Sequence, residues 1–166
     1  CAALRGMGAT MCYLPDRKQV IWYVAAQNVS PAAYEMWLFD VEKDEWTELK
    51  PNGGKNIGEL AGKEKIAPMS EVQPAYSPKH KKMVAVLKQD VCVYDVASNE
   101  WAKIATDERI DAHDARTVFA YDEAADVFLL ANPKGETKLA AFSLATNRWK
   151  VLAPHGPDFP QYQYGS

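Results

Sequence analysis

The chain has 166 residues, and its 48% hydrophobic content is high enough to bury a core. A formal net charge of −3, with no basic stripe interleaved with aromatic residues, argues against a nucleic-acid-binding protein. No apolar run exceeds seven residues, so the residues given contain no membrane-spanning helix.

Short apolar segments rich in Val, Ile, Phe, Trp and Tyr, and bounded by Pro, Asp, Lys and Asn, predict β-strands rather than helices. The first group of predicted strands covers residues 10–13, 20–25, 36–40 and 46–49. The second group covers residues 75–76, 82–87, 91–95 and 101–104. The third group covers residues 117–121, 127–131, 138–143 and 149–152. No segment keeps a 3.6-residue periodicity, so we expect almost no helix.

Each group ends in the same phrase, which spans residues 39–46, 94–101 and 142–149. An aromatic residue opens the phrase, an aliphatic residue follows two positions later, and Asp or Asn stands two positions before a closing Trp. The closing residues are Trp46, Trp101 and Trp149. Repeated four-stranded units of about 40–50 residues are typical of β-propeller blades.

The phrase resembles the blades of kelch-type and galactose-oxidase-like β-propeller repeat proteins, which carry a Tyr-Asp or Phe-Asp pair on the third strand and a Trp opening the fourth. Phe39-Asp40 and Tyr94-Asp95 match that pair, and Phe142-Ser143 matches its aromatic half. The Gly-Gly pair that usually ends the second strand of a kelch blade is replaced here by Ala25-Ala26 in the first group. The resemblance implies an all-β fold of four-stranded antiparallel blades, three of them in this chain.

One propeller segment over residues 1–166 is therefore predicted. It divides into blade 1 at 9–50, a long loop at 51–72, blade 2 at 73–105, a loop at 106–116, blade 3 at 117–153 and the start of a next connection at 154–166. Propellers close with four to eight blades, and closure protects strand edges. Three blades thus form an incomplete ring, which a second copy or the remainder of a longer chain would complete; we favour the longer chain.

Several recurring residues have structural interpretations. We expect the three closing Trp residues to pack blade against blade, with each indole N–H bonded locally. Asp40 and Asp95 precede tight turns and should accept backbone N–H bonds there. Cys12 and Cys92 fall in predicted strands, where free buried thiols are expected. The basic run at residues 79–82 is interpreted as a solvated hairpin turn, on the face opposite to the candidate site.

The candidate site lies on the face formed by two sets of loops, those joining strands two and three and those joining strand four to the next blade. Its candidate binding residues are Tyr34, Arg109, Asp111, His113, Asp114, Arg116 and His155. Asp111, His113 and Asp114 could offer ligands to a divalent ion, but a solvated loop with local Arg–Asp pairs is favoured. We expect no cofactor.

Two functions follow from these patterns. The favoured one is a non-catalytic scaffold that binds a protein or a glycan on the loop face, with Tyr34, Arg109 and Arg116 as hot spots. The alternative is the propeller portion of an enzyme, such as a galactose-oxidase-like oxidase or a glycan-active protein, whose catalytic residues lie elsewhere. Tyr162 and Tyr164 stand near His155 but match no copper-radical motif. Family likeness slightly favours an extracellular or periplasmic location.

Overall fold

The structure is a computed structural model, and it describes residues 9–25, 34–51, 74–87, 89–110, 112, 118–131 and 139–155. Over these residues the secondary structure is entirely β. Each group of predicted strands forms its own four-stranded sheet, and the strands pair antiparallel in chain order. The predicted fold class is confirmed.

The strands have the following bounds. The first sheet contains β1 (Ala9–Leu14), β2 (Gln19–Ala25), β3 (Tyr34–Asp40) and β4 (Glu45–Leu49). The second contains β5 (Ala75–Ser77), β6 (Lys82–Leu87), β7 (Asp90–Asp95) and β8 (Glu100–Ile104). The third contains β9 (Val118–Asp122), β10 (Val127–Ala131), β11 (Leu139–Ser143) and β12 (Arg148–Leu152).

The hairpin turns of the three sheets share one backbone device. In the described residues, the last turn residue before each of β2, β4, β6, β8, β10 and β12 has a positive φ although it is not a glycine. These residues are Lys18, Asp44, Lys81, Asn99, Asp126 and Asn147, with φ between 51° and 56°. Asn and Asp tolerate this left-handed conformation better than other residues with a side chain. The Asp and Asn two positions before each Trp are therefore explained by the turn.

Asp40 and Asp95 have the structural role predicted for them. Oδ1 of Asp40 accepts hydrogen bonds from the backbone N–H groups of Glu42 and Lys43, each at 3.1 Å. Oδ1 of Asp95 accepts from Ala97 at 2.9 Å and from Ser98 at 3.1 Å. These bonds hold the pKa of Asp95 below its ordinary value, as a carboxylate that accepts N–H bonds is stabilised in its charged form.

The three sheets pack side by side through their first strands, since β5 contacts both β1 and β9. Sheets that are arranged around their first strands in this way are the blades of a β-propeller. We call them blade 1 (β1–β4), blade 2 (β5–β8) and blade 3 (β9–β12). In the described part of the chain the blades form an open arc, not a closed ring.

Each blade has two distinct faces. We call the face that bears the repeated tryptophan the Trp face and the opposite one the back face. Between blades 1 and 2, Tyr76, Tyr94 and Trp101 of the Trp face of blade 2 pack on residues such as Ile21 and Met36 of the back face of blade 1. Between blades 2 and 3 the same arrangement recurs. There, Phe128, Phe142 and Trp149 pack on Val84, Val86, Val91 and Val93.

Candidate functional site

The described candidate residues belong to three different blades. Tyr34 is the first residue of β3, where it pairs with Ala25; its predicted position in the loop before β3 is therefore wrong. Arg109 is exposed in the connection after β8, and His155 is exposed in the segment after β12. No hydrogen bond or ion pair within the described residues joins Arg109 to His155. Asp111, His113, Asp114 and Arg116 lie outside the described residues.

The connection after β8 is fixed on both sides of Arg109. Ahead of it, Asp107 Oδ1 accepts hydrogen bonds from the backbone N–H of Glu108 at 3.0 Å and of Trp149 at 3.1 Å. Behind it, Ile110 is 8% exposed and belongs to the core between blades 2 and 3. Arg109 thus projects from a short segment whose neighbours are tied to the scaffold.

Asp107 itself has a structural role. Its Oδ2 also lies 3.7 Å from Nε of Arg148, so the carboxylate joins blade 2 to the start of β12 in blade 3. Arg–Asp pairing was expected within this loop. The pair observed here connects two blades, and the residues expected to form local pairs, Asp111, Asp114 and Arg116, lie outside the described residues.

The opposite end of the same interface holds a cluster around Asp126 that the sequence did not reveal. Its carboxylate lies 2.6 Å from Nζ of Lys79 and 2.8 Å from Nε2 of His80, and it accepts a 2.7 Å hydrogen bond from the hydroxyl of Tyr121. Lys79 and His80 are in the β5–β6 turn of blade 2, whereas Asp126 is in the β9–β10 turn of blade 3. The basic run forms the predicted hairpin turn, in which Lys79 and Lys81 are exposed. In addition, Lys79 and His80 contact the next blade, which was not predicted.

The charge of Asp126 is stabilised by this cluster. The hydrogen bond from Lys79, followed by those from Tyr121 and His80, holds the pKa of Asp126 far below its ordinary value of 3.8. Ser77 Oγ accepts a 3.2 Å hydrogen bond from the backbone N–H of His80 and not from its imidazole. The cluster therefore lacks the pairing of a hydroxyl with a histidine ring that a Ser–His nucleophile needs. It acts as a clamp between two blades.

The interface between blades 1 and 2 has its own polar contacts. The hydroxyl of Tyr76 donates to Asp16 Oδ2 at 3.2 Å, and burial together with this bond raises the pKa of Tyr76 well above its usual range. Nδ2 of Asn99 donates to the backbone oxygen of Lys50 at 2.7 Å. Polar contacts thus flank the apolar core of both interfaces.

The indole N–H groups do not all find the local partner that we expected. Nε1 of Trp101 contacts Sδ of Met36 at 3.2 Å. Nε1 of Trp149 is buried and has no hydrogen-bond partner in the described part of the chain. Its expected local bond is therefore a wrong prediction. Trp149 belongs to a core cluster whose blade 2 members include Val84, Val86, Val91 and Val93, and valine side chains offer no hydrogen-bond acceptor.

The two cysteines of the described strands lie in the core between blades 1 and 2, as predicted. Cys12 is 6% exposed, and burial raises the pKa of its thiol to about 12. A thiol with such a pKa stays protonated and is a poor nucleophile or metal ligand at neutral pH. Among the described residues, no group of three His, Cys, Asp or Glu side chains is placed to hold a metal ion.

The Trp face of blade 1 differs from the other two. Trp46 is 49% exposed, whereas Trp101 is 7% and Trp149 is 5% exposed. Its ring contacts Phe39, with ring centroids 4.9 Å apart, and meets Trp22 edge-on at 5.9 Å. Met11 and Tyr13 on β1 are also more than half exposed. The packing role predicted for Trp46 is therefore not fulfilled by any described blade of this chain.

No family model matches the chain, and no curated protein matches it significantly. The β-propeller domain of the Trilobed protease from Pyrococcus furiosus, described as having an open velcro topology, is similar over 86% of the chain at 13% identity, with a TM-score of 0.44.

The chain spans 42% of the length of that neighbour. At this TM-score the likeness supports no inference about function, and the blade architecture described above rests on the three sheets and their contacts. Membership of the kelch-type or galactose-oxidase-like group stays a prediction from the Trp phrases. In the described residues, no helix is long and apolar enough to cross a membrane.

Proposed function

We propose that the protein is a non-catalytic binding scaffold built on propeller blades. Its ligand face is formed by the loops between strands two and three and by the connections from strand four to the next blade. The ligand is a protein or a glycan that carries negative charge. The exposed guanidinium of Arg109, on a segment fixed at both sides, is the observation that carries this proposal.

Among the described residues, several charged side chains of the blades are bonded within the protein, whereas Arg109 is not. At the hairpin-turn end, Asp40, Asp95 and Asp126 are bonded within the protein. At the other end, Arg109 is exposed and has no partner among the described residues. An arginine on an ordered segment loses little conformational freedom on binding, and Arg is enriched among the residues that dominate interface energies. At the loop end Asp90 is paired with Lys103 and Asp107 with Arg148. Arg109 is thus the exposed positive charge of its segment that is left for a ligand.

Replacement of Arg109 tests the proposal. The probes are a glycan array with neutral and acidic oligosaccharides and an immobilised set of neutral and acidic peptides, which distinguish the two ligand classes. We expect the protein to bind acidic members of one class, and Arg109→Ala to weaken that binding about tenfold, since loss of a hot-spot side chain costs more than about 1 kcal/mol.

Arg17→Ala is the matched control for this experiment. Arg17 is also an exposed arginine, but it lies in the β1–β2 turn at the opposite end of the blades. We expect this variant to bind like the unmodified protein. Equal effects of the two substitutions, or no binding to any acidic probe, would contradict a ligand site on the loop face.

A further inference from the structure

Both interfaces inside the chain obey one rule, because the Trp face of a later blade packs on the back face of the blade before it. Tyr94 and Trp101 are buried in this way against blade 1, and Phe142 and Trp149 against blade 2. The rule leaves two faces that no described sheet covers. They are the Trp face of blade 1 and the back face of blade 3, one of each kind.

The first of these faces is broad and aromatic. The antiparallel register puts Met11, Trp22 and Trp37 in one row across β1, β2 and β3. The neighbouring row contains Tyr13, Val20, Phe39 and Trp46. Met11, Tyr13 and Trp46 are the exposed members of these two rows, and the others are half-buried. A cluster of exposed apolar side chains of this kind marks an interaction site.

The second face is aliphatic, like the surfaces on which Trp101 and Trp149 pack. Val118 is 55% exposed on β9. Beside it in the register are Ala131 and Leu139, followed by Leu152 on the outer strand. The equivalent positions of blade 2 are occupied by residues such as Val91 and Ile104, which pack under Trp149 in the core. This row thus resembles the surface that a Trp face covers elsewhere in the chain, and the next row of the same face contains Ala120, Leu129 and Ala141, with Lys150 on the outer strand.

Charge complementarity adds a second argument. In the interface between blades 2 and 3, the β5–β6 and β9–β10 turns meet through oppositely charged side chains, Lys79 and Asp126. The corresponding turn of blade 1 ends in Arg17 and Lys18, both exposed. In blade 3, Asp122 is the last residue of β9, and the exposed Glu123 is the first residue of the turn. If the Trp face of blade 1 covered the back face of blade 3, a basic turn would meet an acidic one.

We propose that the two uncovered faces bind each other between two copies of this chain, so that the Trp face of blade 1 of each copy packs on the back face of blade 3 of the other. The product is a closed ring of six blades, a number within the usual range of propellers. Each interface joins unlike surfaces, and the two interfaces are related by a two-fold axis.

The main competing arrangement, in which two Trp faces of blade 1 pack on each other, is disfavoured by the same observations. It would join two faces of the same kind, whereas both interfaces between the described blades join a Trp face to a back face. It would also leave the back face of blade 3 exposed. The proposed ring covers both faces at once.

The test is the mass in solution of the chain and of three variants, by light scattering on a sizing column, with far-UV circular dichroism to show that each variant is folded. We expect the unmodified chain to have twice the mass of one copy. Trp46→Glu and Val118→Glu each put a charge on a different side of the proposed interface, so both variants should run as single copies.

Val151→Glu is the control, because Val151 is 49% exposed, like Trp46, but lies on the outer strand of blade 3, away from both uncovered faces. The equivalent positions, Glu48 and Lys103, already carry charge. We expect this variant to keep the doubled mass.

Three results would overturn the proposal. A single-copy mass for the unmodified chain would show that a second copy does not cover the Trp face of blade 1, and that another segment of a longer chain is a better occupant. A doubled mass for Val118→Glu with loss of the dimer in Trp46→Glu would indicate contact between two Trp faces. Masses above two copies that grow with concentration would indicate an open assembly instead of a ring.

A charge swap provides a check that does not depend on the apolar core. Glu123→Lys should weaken the dimer about fivefold, as expected for loss of an exposed ion pair. Adding Lys18→Glu to the same chain should restore most of the affinity, although it removes the Lys18–Glu42 pair within blade 1. A double variant no tighter than Glu123→Lys alone would contradict contact between these turns.

Discussion

Asp126 meets a backbone requirement and a side-chain requirement at the same position. Its backbone has a φ of 56°, which the last position of the turn demands, and its carboxylate is bonded to Lys79, His80 and Tyr121. Glycine would fit the backbone but would remove the clamp between blades 2 and 3. Lysine, which occupies the same position in blades 1 and 2 as Lys18 and Lys81, would repel Lys79.

We predict that Asp126 contributes to the acid sensitivity of the fold. Because its pKa is lowered in the folded protein, its contribution is complete above the ordinary value of 3.8 and is lost as the pH falls through the lower, folded value. Asp126→Asn should therefore have a free energy of unfolding that depends less steeply on pH below about 4.

The measurement is the urea midpoint by circular dichroism at a series of acidic pH values. Asp44→Asn is the matched control, since Asp44 has the same φ of 56° in an exposed turn but no ion pair or hydrogen bond among the described residues. Its pH dependence should equal that of the unmodified protein. Parallel curves for both variants would rule out the clamp as a source of acid sensitivity.

The difference between Asp40 and Asp126 shows what the sequence could reveal at this scale. The bonds of Asp40 reach backbone groups two and three residues ahead, so local turn chemistry predicted them. The bonds of Asp126 to Lys79 and His80 span 47 and 46 residues. Such a contact depends on how two blades are placed, and no local pattern encodes it.

At the level of the strands, the Trp phrase forms the same hairpin in all three blades. The surroundings of its tryptophan nevertheless differ from blade to blade. Alternating apolar residues and turn signals are local, which is why all the strands were predicted with small differences at their ends. Burial is not local, because it depends on which blade lies opposite. Trp46 and Trp101 therefore share a phrase and differ in exposure, 49% against 7%.

Replacing the two buried tryptophans by phenylalanine should have unequal effects. Trp101→Phe loses volume and the contact of Nε1 with Met36, whereas Trp149→Phe loses volume but also removes a buried N–H that has no partner. Because a buried unsatisfied donor costs about 1–3 kcal/mol, Trp149→Phe should destabilise by roughly 1 kcal/mol less than Trp101→Phe.

Urea unfolding followed by circular dichroism measures both free energies. The two substitutions delete the same atoms from the same place in equivalent blades, so each serves as the control for the other. Equal losses, or a larger loss at Trp149, would show that the orphaned N–H of Trp149 has no energetic consequence.

At the scale of the whole molecule, the three blades of the described residues form an arc, and each contact between neighbouring blades combines an apolar core with polar contacts. The repeat of the Trp phrase predicted this architecture correctly, because periodicity records how many equivalent units a chain contains. The candidate loop site was less accessible to prediction. Its residues come from separate blades, and the sequence placed Tyr34 outside the strand in which it lies.

If two copies close a ring, the thermal stability of the fold must depend on protein concentration, because only folded chains assemble. We expect the thermal midpoint to rise by a few degrees for each tenfold increase in concentration, and Trp46→Glu to show a constant midpoint. Differential scanning calorimetry over a hundredfold range of concentration measures both. A constant midpoint for the unmodified chain would contradict assembly in that range.

The two unlike faces of each blade also bear on how such a chain can grow in evolution. A duplicated blade carries one Trp face and one back face. If it is inserted between two blades, its Trp face meets a back face on one side, and its back face meets a Trp face on the other. Lengthening by tandem duplication then needs no new interface to arise at the moment of duplication, only later adjustment of the turn charges. Because the two faces of each four-stranded sheet differ, the number of blades can change by duplication without loss of the packing between blades.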